Sequence, residues 1–161
     1  MKDTRHVAGL TKAIIIGFIV CAAVCLVSCT KDAVLGFANA VMTNVGDNRL
    51  TKGYDLLGKR KFGIDSYTGK YTAQIEDGTA REILFGSTSI ERGGGNTVQV
   101  HAEMTGTDGD AVILLERDGE DPEPILTGNG TIDEEFDVSP GSAYFLFECQ
   151  DYTGDVELTI E

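Results

Sequence analysis

From Tyr67 to its last residue the chain alternates apolar and polar positions with a period of two, the spacing of strands buried on one face. Tyr71, Ala73 and Ile75 alternate with Lys70, Thr72, Gln74 and Glu76. Glu82 to Ile90 contains Ile83-Leu84-Phe85, and Gly93-Gly94-Gly95-Asn96 then turns the chain. Val98, Val100, Ala102 and Met104 alternate with Gln99, His101 and Glu103, while Val112 to Leu115 is apolar on both faces, as in a central strand. Asp118-Gly119, Pro122, Pro124 and Gly128-Asn129-Gly130 punctuate the next stretch of chain. Ile132, Phe136 and Val138 alternate with Asp133, Glu135 and Asp137; Pro140-Gly141 turns the chain; and Ala143, Phe145, Phe147 and Cys149 share a face. Val156, Leu158 and Ile160 finish the pattern. It predicts an all-β domain over residues 65–161, an antiparallel β-sandwich of seven or eight short strands.

One phrase occurs twice, as YTGKYTAQIE from Tyr67 and YTGDVELTIE from Tyr152. Aligned on Tyr-Thr-Gly, the inward residues Tyr71, Ala73 and Ile75 match Val156, Leu158 and Ile160, so both phrases prescribe a turn followed by a half-buried strand. The two strands are expected to be antiparallel neighbours that cover two sheet edges. Strands in separate sheets, or a chance likeness of ten residues, is the alternative.

Upstream the period is lost. Asp47 to Asp65 is polar and Gly-bearing and reads as a solvated loop, with Lys59-Arg60-Lys61 as the one basic cluster of an acidic chain; a cluster facing anionic headgroups is the alternative. Before it, Asp32 is a helix N-cap candidate and Gly46 a C′ candidate, and Val34, Phe37, Val41 and Val45 fall at helical spacing. One short helix is expected over residues 33–45. Residues 29–64 then form a segment of their own, ahead of the sandwich.

The first residues differ again. Lys2, Arg5 and Lys12 precede an apolar run from Ala13 to Ser28, 16 residues long. A membrane-spanning helix needs about 20 apolar residues, so residues 1–28 match a cleaved signal peptide, an N-terminal signal helix. Leu26-Val27-Ser28-Cys29 resembles the lipobox of bacterial lipoprotein precursors, with Leu three before the cysteine and a small residue directly before it. The resemblance implies diacylglyceryl transfer to the Cys29 sulfur, cleavage between Ser28 and Cys29, and acylation of the new amino terminus with chains such as palmitate. Multiple chains at about 0.8 kcal/mol per buried methylene hold a domain stably at a bilayer. The protein is thereby expected to be extracytoplasmic and lipid-anchored to the bacterial membrane; an uncleaved short anchor is the alternative, with the same sidedness.

Charge and cysteine count narrow the functions. From Cys29 onward there are ten Lys and Arg against twenty-five Asp and Glu, a formal charge of −15, which disfavours nucleic acid as a partner. Of four cysteines only Cys149 lies in the sandwich, so neither a disulfide framework nor a Cys-rich metal site is available. On the face it shares with Phe145 and Phe147, Cys149 reads as a core residue. His101 falls on the polar side of its strand with no triad or zinc spacing around it.

The remaining chemistry is carboxylate and phenol. Asp108-Gly109-Asp110, Asp118 to Asp121, and Asp65, Asp151 and Asp155 near the two repeated phrases could supply oxygen ligands to a structural Ca²⁺, the last set if Asp65 and Asp151 come together; no EF-hand loop is present, solvated surface charge is the competing reading, and no cofactor is otherwise implied. From Gly130 onward the rhythm of turns and strands resembles the accessory β-sandwich domains of secreted bacterial proteins, including jelly-roll carbohydrate-binding modules. That resemblance implies a jelly-roll-like fold and sugar stacking on aromatics. The chain has no Trp, which leaves Tyr54, Tyr67, Tyr144 and Tyr152, each as readily a packing or strand-end residue, with Tyr67 and Tyr152 as the ligand-binding candidates.

The reading is a membrane-anchored extracytoplasmic lipoprotein whose β-sandwich is a non-catalytic binding or interaction module at the cell surface, its partners an envelope polymer or a surface protein. A carbohydrate- or Ca²⁺-dependent ligand binder is the alternative. A two-carboxylate glycoside hydrolase is the one respectable enzyme reading.

Overall fold

A computed structural model describes residues 49–161. Cys29, the signal segment and the helix expected over 33–45 lie outside the described residues. The described residues form an antiparallel β-sandwich from six strands: β1 (Lys59–Phe62), β2 (Gly69–Ser89), β3 (Thr97–Arg117), β4 (Glu123–Thr127), β5 (Gly130–Asp137) and β6 (Gly141–Ile160). The hydrogen-bonded order is β1-β2-β6-β3-β4, with β5 also paired to β3.

Three of these strands are 20 or 21 residues long, and each serves both layers. The register of β2 on β6 shifts between Ile75 and Ala80, and that of β3 on β6 between Gly106 and Asp110. Bulges at one level of adjacent strands bend the whole sheet over. At this corner Asp77 and Asp151 adopt positive φ of 52° and 50°, the left-handed region that Asp tolerates better than most residues. The Thr79 hydroxyl donates to Asp151 Oδ1 at 3.2 Å and accepts from the Asp151 N–H at 2.9 Å, and the Asp77 N–H donates to Thr153 Oγ1 at 3.0 Å. The first layer therefore holds β1, the first half of β2, the second half of β6, the first half of β3, and β5. The second layer holds the remaining halves and β4. Six strands thus do the work of the seven or eight short ones that the alternation suggested.

The two repeated phrases pair as expected. Tyr71 faces Leu158, Ala73 faces Val156 and Ile75 faces Gly154 in antiparallel register. They do not cover edges, however, because β6 is central, flanked by β2 and β3.

The core lies between the layers and contains the predicted inward residues: Tyr71, Val100, Ala102, Met104, Phe145, Phe147 and Leu158 are all fully buried. Rings meet across the gap, Tyr71 with Phe147 at 6.3 Å and Phe136 with Phe145 at 6.4 Å between centroids. Such aromatic pairs contribute about 0.5–1.5 kcal/mol beyond their buried area.

Residues 59–62, read from the sequence as part of a solvated loop, are instead strand β1, paired with Gly69 to Thr72. The middle residue of the basic cluster is structural. Arg60 donates to the carbonyls of Ile83 at 3.1 Å, Leu84 at 2.8 Å and Thr51 at 2.7 Å. It ties β1 and the segment before it to the second layer.

Candidate functional site

The outward side chains of the first layer form a polar surface whose register follows from the pairing. Thr72 on β2, Glu157 on β6 and Glu103 on β3 lie in one row, and Gln74, Asp155 and Thr105 lie in the next. Strand alternation puts all six on the solvent side, since the residues between them, Ala73, Val156 and Met104, are buried. Leu57, Gly58 and Lys59 rise along one side and close an open groove of about 720 Å³ over these two rows.

Glu103 and Glu157 are directly opposite each other, a like-charge pair that destabilises a sheet by itself. The Lys70 ammonium bonds Glu157 and offsets part of this repulsion. No ion pair engages Glu103 or Asp155 among the described residues. The groove thus offers carboxylates, an amide and hydroxyls from a rigid sheet, acceptors and donors suited to a ligand rich in hydroxyl groups.

The candidates from the sequence stand elsewhere, except one. Asp155 lines the groove. Asp65 sits just before β2, where its Oδ1 accepts from the N–H groups of Tyr67 and Thr68 at 3.1 and 3.0 Å and from the Thr68 hydroxyl at 3.0 Å. Its Oδ2 accepts from Arg92 Nε at 2.6 Å, and the Arg92 side chain is 4% exposed. Asp151 is at the corner, bonded to Thr79. The phrases run antiparallel, so their starts fall at opposite ends of the paired segment and Asp65 and Asp151 do not converge. Among the described residues no group of three or more His, Cys, Asp and Glu could hold a metal ion.

Tyr67 and Tyr152 are buried, at 2% and 1% exposure, and present no ring face for a sugar to stack on. The Tyr67 hydroxyl bonds Ser89 Oγ at 3.0 Å, and the Arg92 guanidinium lies 5.8 Å from its ring centroid. Tyr152 packs edge-on against Phe147 at 6.4 Å in the corner. Gly106 and Gly154 make room for it: a Cβ on Gly106 would lie 2.4 Å from the Tyr152 ring, and one on Gly154 2.7 Å from its hydroxyl. Tyr67 anchors the start of β2, and Tyr152 fills the corner midway along β6.

The groups of greatest chemical potential are inside. Glu82 is 1% exposed, and its carboxylate accepts from the Tyr71 hydroxyl at 2.8 Å and from the Leu57 N–H. Burial, then the bond to Glu82 and its charge, push the Tyr71 phenol above its ordinary range. Burial also raises the Cys149 thiol, with the Glu82 charge adding to it. His101 is exposed, opposite Thr159 and Asp133. The groove carboxylates Glu103, Asp155 and Glu157 are exposed to water.

Sequence reasoning named Gln74 and Glu103 only as outward residues of their strands, and it missed Glu82 as a buried charge. The signal for the groove was the pairing of the two phrases, which fixes the opposition of their outward residues.

The sequence matches no protein-family model and no curated protein. Among solved structures it is similar to a family 6 carbohydrate-binding module from Cellvibrio mixtus lichenase 5A, in complex with cellotriose, at 12% identity over 72% of this chain and 93% of that one, with a TM-score of 0.37. A family 35 carbohydrate-binding module from an environmental isolate gives 12% identity over 70% and 91%, with a TM-score of 0.35. The N-terminal cellulose-binding domain of Cellulomonas fimi β-1,4-glucanase C gives 12% identity over 62% and 80%, with a TM-score of 0.33. Likeness this distant carries no information on what the groove holds.

Proposed function

We propose that the protein is a lipid-anchored extracytoplasmic lipoprotein whose β-sandwich is a non-catalytic module, binding a hydroxyl-rich envelope polymer along the groove of the first layer. The observation that carries the binding reading is the groove itself: Thr72, Gln74, Glu103, Thr105 and Asp155 project from three paired strands into one open channel. An extended polymer can lie along such a channel and exchange its water bonds for bonds to the side chains. With Tyr67 and Tyr152 buried and the exposed Tyr54 outside the groove lining, recognition along the groove proceeds by hydrogen bonds rather than by ring stacking. Such sites bind weakly per unit, and presentation at a surface through a lipid anchor raises the effective concentration. Anchoring is supported by the signal segment and by Leu26-Val27-Ser28-Cys29.

Affinity electrophoresis through gels containing solubilised peptidoglycan or neutral polysaccharides tests the binding reading. The chain is expected to be retarded by at least one of these polymers, and Gln74→Ala with Asp155→Ala to weaken retardation about tenfold, at roughly 1.4 kcal/mol lost. Retardation that is absent, or unchanged in the double variant, contradicts it.

A further inference from the structure

Charge is unevenly distributed. Residues 49–70 carry six Lys and Arg against two Asp, whereas residues 71–161 carry three Arg against twenty-one Asp and Glu. Two of the six are committed to the fold. Arg49 pairs with Glu116 at 2.7 Å and covers the Tyr144 ring at 4.3 Å, and Arg60 is held by three carbonyls. The four lysines that remain, Lys52, Lys59, Lys61 and Lys70, gather around the β1 edge. Of the acids near them, Asp65 is taken by Arg92 and Glu157 by Lys70; Asp55 and Glu161 stand beside the patch, and Glu103 and Asp155 share the groove with Lys59, on the side of β1 away from Ile64.

The same edge carries exposed apolar side chains. Phe62 is 43% exposed and Ile64, at the tip of the loop after β1, is 83% exposed. Lys61, Phe62, Ile64 and Lys70 line one shallow hollow of about 460 Å³, and Lys52, Phe62 and Ile64 line another on the opposite side of the strand. Lysines alone would protect an edge strand from pairing. They do not account for a large apolar side chain standing in water at a loop tip. Apolar side chains ringed by lysines match the interface of an anionic bilayer, where the former enter the headgroup boundary and the latter meet phosphate.

We propose that the β1 edge docks on anionic phospholipid, with Phe62 and Ile64 in the interface and Lys52, Lys59 and Lys61 among the headgroup phosphates. The acidic remainder of the domain faces away from the bilayer, because the same surface potential repels it. The proposal rests on the anchored-lipoprotein reading above, which keeps the domain beside a membrane.

The chain contains no Trp, so Ile64→Trp in the full chain is a single reporter at a site that is already exposed. The chain is reconstituted in phosphatidylcholine vesicles with or without phosphatidylglycerol, with brominated lipid as quencher. Blue-shifted, quenched emission is expected only with phosphatidylglycerol, and it is expected to vanish in 1 M salt, where the Debye length is about 3 Å. Lys59→Gln with Lys61→Gln should lower the docked-to-free ratio by roughly 25-fold, about fivefold per lysine. A Trp placed at exposed Glu134 on β5 should stay unquenched. Absence of quenching at 64, or quenching that ignores phosphatidylglycerol, salt and the lysines, overturns the proposal. So does a salt-sensitive dimer without lipid quenching, which would make the acidic face of a second copy the occupant. Intact mass on the same sample separates the two readings. An unacylated chain still quenched at 64 defeats the anchor alone, and an acylated chain unquenched at 64 defeats the docking alone.

Discussion

Tyr71→Phe is the most informative single perturbation of the interior, because it removes one oxygen and little volume. Glu82 is buried with two donors from distant parts of the chain, the Tyr71 hydroxyl at 2.8 Å and the Leu57 N–H. A hydrogen bond to a charged group contributes roughly 1.5–3 kcal/mol net, and losing it leaves a buried carboxylate oxygen short of a partner. The expected cost is about 2 kcal/mol, or a fall in Tm of about 8 °C for a domain of this size. Chemical denaturation of Tyr71→Phe, Glu82→Gln and the double variant should give a coupling energy of about 1–2 kcal/mol. The phenol also sets an alkaline limit. The unfolded chain releases its proton near pH 10, while the folded state retains it, so the folded state binds more protons above that pH. Stability therefore falls as pH rises above about 10, by about 1.4 kcal/mol per pH unit for this group, and is unaffected by it below. Tyr71→Phe should abolish that part of the slope and leave the part due to Tyr152, whose phenol burial also raises. A cost below about 0.5 kcal/mol, with coupling near zero, would refute the reasoning, since Glu82 would then not depend on Tyr71.

Asp65→Ala should destabilise by about 3 kcal/mol in urea denaturation, the low end for a buried pair because Asp65 is 28% exposed while Arg92 is 4%. The Tm of the parent chain should not respond to Ca²⁺, since Arg92 already occupies that carboxylate; a rise with Ca²⁺ that Asp65→Ala abolishes would reverse this. Gly86→Ala should cost about 3 kcal/mol or more, because φ there is +127° and the added Cβ would stand 2.1 Å from the Ala143 carbonyl oxygen; a Tm within a few degrees of the parent would contradict it. Cys149, 7% exposed with its thiol pushed up, should react with a thiol reagent only at the rate of unfolding, and a fast burst in native buffer would show the site to be open.

Period-two alternation carried much of the fold, because a residue on a half-buried strand has only two directions to point. It placed Val98 to Met104, Ala143 to Cys149 and Val156 to Ile160 on the inner face, and it paired the two Tyr-Thr-Gly strands. Other features left no local trace. β1 reads Lys-Arg-Lys-Phe, and an edge strand with so little buried surface shows no apolar rhythm. The bends make one long strand look like two, since the bulged residues Asp77 to Thr79 and Gly106 to Gly109 have the composition of turns. Glu82 and Asp65 are satisfied by partners 11 and 27 residues away, and no spacing rule announces those pairs. The groove was half legible: alternation gave its outward residues, but only the register showed which carboxylates stand side by side.

Mass spectrometry of the protein isolated from its native host tests the central claim, a module held at the membrane through Cys29, most directly. The account predicts an N-terminal fragment that begins at Cys29, lacks residues 1–28 and carries fatty acyl chains, with Cys29→Ser leaving the precursor uncleaved. An unmodified chain that retains residues 1–28 would contradict it.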